Sequence, residues 1–118
     1  MPDLLVVSDF NAELASRFIA ADRNSPVLSV ETATYGNLFQ TLSAERPESG
    51  GMTLFVWTRP EGVAPSFATL IEGEPVVVEQ VLNSVDCFAD IVVRAAQRFR
   101  TVLVASWTRI RIFQITTT

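Results

Sequence analysis

The sequence predicts an α/β fold: one three-layer, flavodoxin-like domain around a short, mostly parallel sheet of about four strands. Three observations carry that expectation. Four brief runs, Leu4–Val7, Val27–Thr32, Met52–Trp57 and Val102–Ala105, are rich in apolar and β-branched residues, as strands buried in a covered sheet require. Segments with helical apolar spacing lie between them, and strand–helix–strand alternation implies parallel crossovers. Polar breaks punctuate the junctions. The 118 residues make a single domain, 1–118, long enough to bury a core without disulfides or a structural metal.

The first strand is followed by Ser8-Asp9-Phe10-Asn11, which offers three helix-capping side chains. Glu13 then favours the first turn of a helix whose stripe of Leu14, Ala15, Phe18 and Ile19 should face the sheet. Asn24-Ser25-Pro26 ends that helix, because proline and the residue before it both resist continuation. In the second strand Leu28 and Val30 share one face. Thr34-Tyr35-Gly36-Asn37 makes a turn, and Leu38, Phe39 and Leu42 form the apolar side of a short helix stopped by the polar stretch Glu45–Gly51. After the third strand, Thr58–Gly62 breaks the chain, and Pro65-Ser66-Phe67 opens a short helix through Leu70. The longest element runs from Val78 to about Arg100, with apolar residues at Val81, Val85, Phe88, Val92, Ala95 and Phe99. Beyond the fourth strand, residues 109–118 partly alternate, and read equally as an added edge strand or as a strand donated to another subunit.

Composition excludes whole classes of chemistry. The chain has no His and all its basic residues are Arg. Without His no Ser-His-Asp or Cys-His pair can form. Without Lys a Walker-type nucleotide site, a Schiff-base mechanism and the usual phosphoacceptor receiver site all lack a required group. The net charge of −4 gives no electrostatic footprint for nucleic acid or anionic membrane. The apolar runs are too short to span a bilayer and no basic, signal-like region opens the chain, so the expectation is a cytoplasmic protein. The single cysteine, Cys87, reads as a small buried hydrophobe on a helix.

In open parallel sheets, ligands sit beyond the carboxyl ends of the strands. That rule gathers Ser8, Asp9 and Asn11, Gly36 and Asn37, Trp57 and Arg59, and Ser106 and Trp107 into one cleft. Ser8 has a nucleophile's hydroxyl but no base to activate it, so it reads first as a turn or cap residue. Asp9 suits a helix cap, a water or a metal. Arg59, the one basic residue at that edge, suits a phosphate or carboxylate, or else a solvated loop. Trp57 and Trp107 read as packing residues before an aromatic wall, and Gly36 as a tight turn or a close approach to a ligand. No catalytic residue, metal or cofactor is assigned.

With these segments placed, the chain resembles the amino-terminal domain of the FkbH-like family, in which an SGNH-hydrolase-like domain precedes a haloacid-dehalogenase-type domain. The resemblance runs through Val6–Leu14, Tyr35–Leu42, Val56–Glu61 and Val104–Trp107. In that family the dehalogenase-type domain is associated with loading a glyceryl unit from a phosphorylated three-carbon donor onto an acyl carrier protein, and this chain is too short to hold that domain. Against the SGNH pattern, the Gly-Asp-Ser block falls on Ser8-Asp9-Phe10, so Asp9 matches while Phe10 stands where the nucleophile belongs, and the Asp-x-x-His block is missing. The resemblance therefore implies a non-catalytic SGNH-like accessory domain that docks an acyl carrier protein or a biosynthetic enzyme, with a homodimer as a further expectation. The alternative is a small-ligand-binding or hydrolytic enzyme using Ser8, Asp9 and Arg59, its cleft completed by a partner chain. A third reading is a remnant of a longer protein.

Overall fold

The computed structural model describes residues 3–24, 29–47 and 49–107. Its centre is a four-stranded, wholly parallel sheet in the order β2-β1-β3-β4, from β1 (Leu4–Ser8), β2 (Val30–Thr32), β3 (Thr53–Trp57) and β4 (Thr101–Val104). This is the generic flavodoxin-like α/β arrangement. β1 lies between β2 and β3, with Leu5 opposite both Glu31 and Leu54. All five of its residues are buried, which is why its sequence is apolar without alternation until the final serine.

The two faces of the sheet are covered unequally. Leu5, Val7, Leu54 and Val56 join the larger core cluster with Leu38 and Leu42 of α2 (Leu38–Ser43) and Phe88 and Ala95 of α5 (Val78–Ala96). On the opposite face Leu4 and Val6 meet Ala12, with Phe10, Ile19, Val30, Phe55 and Trp57 packed around them. There α1 (Glu13–Ala21) crosses over to β2. Two short helices, α3 (Pro60–Val63) and α4 (Ser66–Ile71), follow β3. α4 ends at Gly73, whose φ of +83° is the left-handed conformation that glycine adopts without steric cost, and its N–H reaches the Leu70 carbonyl.

Several elements depart from the sequence expectation. α1 buries only part of the expected stripe: Ala15 and Ile19 are half-buried, with Ile19 against the smaller cluster, while Leu14 and Phe18 are 66% and 69% exposed and the buried positions are Ala12 and Ser16. Small side chains let the helix approach the sheet closely, and the Ser16 hydroxyl is satisfied by the Ala12 carbonyl. Phe39, expected in the core, is exposed and touches Phe88 edge-on. The break after β3 contains α3. Cys87 is exposed, because α5 buries the face of Phe88 and Ala95, and the residue next to Phe88 turns about 100° away from it. The start proposed for the second strand falls partly on residues 25–28, and both readings of residues 109–118 fall outside the described residues.

Two arginines tie the elements together. Arg98 donates to the carbonyls of Leu42 and Ser43, satisfying the open C-terminus of α2. Arg46 makes a bidentate pair with Glu31 of β2, both contacts at 2.8 Å. Those hydrogen bonds hold the Glu31 carboxyl below its usual value against a smaller opposing effect of burial, and the Arg46 charge adds to the lowering. A depressed folded-state pKa means that the pair stabilises fully above the unfolded value, about 4.3, and that this contribution is lost as pH falls through the folded value. Glu31→Gln should therefore flatten the acid side of a plot of Tm against pH and leave its neutral-to-alkaline side parallel to wild type; an unchanged acid slope would show that the pair contributes nothing.

Candidate functional site

With the order β2-β1-β3-β4, the chain leaves β1 in one direction to reach β2 and lies on the other side for β3 and β4, so the topological switch point is the gap between the carboxyl ends of β1 and β3. Asp9 follows β1 and Arg59 follows β3, and they meet there. The backbone N–H of Arg59 donates to Asp9 Oδ1 and its Nε donates to Asp9 Oδ2, each at 3.2 Å. The Asp9 side chain is 8% exposed while that of Arg59 is 58% exposed, so the arginine lies over the acid like a cover.

Local sequence explains the geometry. Pro60 begins α3 at a position where its missing N–H costs nothing, and the preceding Arg59 N–H is accepted by Asp9. Gly62 sits directly against this carboxylate: a Cβ at position 62 would overlap Asp9 Oδ2 and Cγ. Asp9 thus clamps the start of α3 onto the end of β1, linking segments 50 residues apart in the chain.

The other candidate residues have separate surroundings. Ser8 is buried and its hydroxyl donates to the Phe10 carbonyl, so the turn uses it. Asn11 Oδ1 accepts the Glu13 N–H in the turn before α1, while the N-cap position itself is Ala12, so none of the three proposed caps occupies it. Gly36 and Asn37 lie exposed in a 3-10 turn, Tyr35–Asn37. Neither a positive φ nor a close neighbour demands glycine at Gly36. Asn37 lines a concavity along α2 with Gln40, Thr41, Ala44 and Arg46. Ser106 is exposed beyond β4. Of the candidate set, Asp9 and Arg59 are in direct contact with each other by hydrogen bond.

The tryptophans sit on opposite faces of the sheet. Trp57 meets Phe10 edge-on at 4.9 Å and stacks on Phe55 at 5.8 Å, on the face that carries α1. Trp107 stacks on Phe88 at 5.8 Å on the other face, and its Nε1 donates to Thr58 Oγ1 at 3.0 Å. Both pack; they do not make one aromatic wall. Because Thr58 is buried, Trp107→Phe should cost about 1 kcal/mol, the net value of one such hydrogen bond, measured by urea denaturation; no change would mean that the bond contributes nothing in solution.

No family model matches the chain, and no curated protein and no solved structure matches it. Among the described residues no group of three or more His, Cys, Asp or Glu side chains is placed to hold a metal ion, and no helix is long and apolar enough to cross a membrane.

The sequence reading missed two features. One is the Asp9–Arg59–Gly62 contact, whose only local sign was a glycine two residues after Pro60. The other is apolar surface. Glu13, Ser16, Arg17 and Ala20 line a concavity with Val30 and Thr32 of β2, and Leu14 and Phe18 stay exposed on the side of α1 away from its buried positions. On the sheet face that carries α1, Phe55 and Trp57 are only half-buried and Leu103 is exposed. The matching sign in the sequence was an apolar side chain at 14 and again four residues later, which was assigned to the core.

Proposed function

We propose that the chain is a non-catalytic accessory domain that acts by docking other proteins. The observation that supports this most is the Asp9–Arg59 pair: the buried Asp9 carboxylate at the switch point accepts from the Arg59 N–H and Nε and holds the start of α3, so the acid is committed to a structural contact. The Ser8 hydroxyl is committed to its own turn, and there is no His to activate it. The exposed apolar residues Leu14, Phe18 and Leu103 are of the kind that protein partners cover. The FkbH-like resemblance supplies the partner class, an acyl carrier protein or a biosynthetic enzyme, and the SGNH-like assignment of the domain rests on the same resemblance.

The test pairs an activity assay with a binding assay. Hydrolysis of a small activated acetate ester should not rise above background, and a holo acyl carrier protein should bind wild type and Ser8→Ala equally by calorimetry. Turnover that Asp9→Ala abolishes while the fold persists would replace this reading with the enzymatic one. The exposed guanidinium of Arg59 favours one alternative: an anionic small ligand held at the switch point. In that case inorganic phosphate or acetate would raise the Tm of wild type but not of Arg59→Gln.

A further inference from the structure

Away from the switch point, Arg98 is a half-buried cation without an acid. Its Nη1 donates to the Ser43 carbonyl and its Nη2 to the Leu42 carbonyl. No carboxylate pairs with it among the described residues, and its Nε is buried without a hydrogen-bond partner. A guanidinium withdrawn from water in that state is costly, because its remaining N–H groups have lost solvent and gained no acceptor. Arg46 nearby differs, since Glu31 already supplies its carboxylate.

Arg98 and Arg46 line a concavity of about 510 Å³ together with Glu45, Pro47 and Ser49, a size that holds a small molecule. The Ser49 hydroxyl donates to the Arg46 carbonyl at 2.8 Å and so fixes the loop that carries Arg46. Arg46 also borders a second concavity, with Asn37, Gln40 and Thr41 along α2. The charged pocket is thus continued by amide and hydroxyl groups. Because Glu31 neutralises Arg46, Arg98 supplies the net attraction for an anion. Glu45 opposes it, but Glu45 is exposed, and solvent and salt screen an exposed charge more than a half-buried one.

We propose that this concavity binds a small polar molecule through a phosphate or carboxylate group that pairs with Arg98. An oxyanion supplies both things Arg98 lacks, a counter-charge and acceptors for its remaining N–H groups. The site is separate from the Asp9–Arg59 pair, and it stands whether or not the domain docks other proteins.

Thermal unfolding in inorganic phosphate and in acetate, each against chloride at equal ionic strength, tests it. At least one of the two should raise the wild-type Tm with a saturable dependence in the millimolar range, and the larger response identifies the group. No rise beyond chloride with either anion would overturn the proposal. Arg98→Lys keeps a donor for the α2 carbonyls but not the planar fork, and should weaken binding roughly tenfold while the chain stays folded by circular dichroism. Glu45→Gln, at an exposed position, should strengthen binding about threefold, the effect of removing one like charge close to an ion in water. A Tm response that neither variant changes puts the anion elsewhere and overturns the proposal. So does a response lost in Arg59→Gln, which would place the anion at the switch point.

Discussion

Gly62→Ala is expected to destabilise the fold by about 1–3 kcal/mol, the cost of forcing an extra methyl into a packed site. The new Cβ would fall within the Asp9 carboxylate. Asp9 cannot yield without giving up its hydrogen bonds to the Arg59 N–H and Nε, and α3 cannot yield without leaving the end of β1. The penalty should shrink in an Asp9→Ala background, where only the Asp9 Cβ remains close. A double-mutant cycle in urea measures this. An equal cost in both backgrounds would mean that glycine is needed at position 62 for some reason other than Asp9. The same cycle bears on function: if the clamp is structural, Gly62→Ala changes stability and leaves carrier-protein binding as it was in molecules that remain folded.

Leu54→Ala should have the largest effect of any single truncation, about 2–5 kcal/mol. Leu54 is fully buried in β3, beside Leu5 on one neighbouring strand and Val102 on the other. It lies under α2 and α5 in the main cluster, and neighbours held by strand hydrogen bonds cannot move in to fill the space. The contrast is Leu103→Ala, one strand away on β4. Leu103 is exposed on the half-covered face, and its loss should stay within about 0.5 kcal/mol. Urea midpoints for the two variants separate a buried from an uncovered half of the sheet. Similar losses would show that Leu103 is covered in solution, either by residues beyond those described or by another molecule.

The sheet was legible because its strands are short, apolar and separated by polar breaks, and a strand such as β1, flanked on both sides and covered on both faces, has no use for alternation. The short 3-10 turn at Tyr35–Asn37 and the helix α2 were equally legible from Gly36 and the Leu38–Leu42 spacing. The orientation of α1 was not. Apolar residues lie on more than one side of its sequence, and periodicity alone does not say whether Leu14 and Phe18 or Ala12, Ala15 and Ile19 meet the sheet. Cys87 failed for the same reason, since apolar neighbours along a chain are not neighbours across a helix.

At the site, the residue types and the placing of Asp9 after β1 and Arg59 after β3 followed from the sequence, as did the lack of a His in this chain. That Asp9 and Arg59 would close on each other did not. Their pairing depends on the β1–β3 register, which sets Ser8 beside Trp57, and on Gly62 leaving room for a carboxylate. By itself, then, the sequence determined the strand–helix alternation and the chemistry that is excluded, because both depend on local composition. Only the tertiary structure decided which charges are spent internally and which apolar faces stay uncovered, because both depend on contacts between residues that the chain holds far apart.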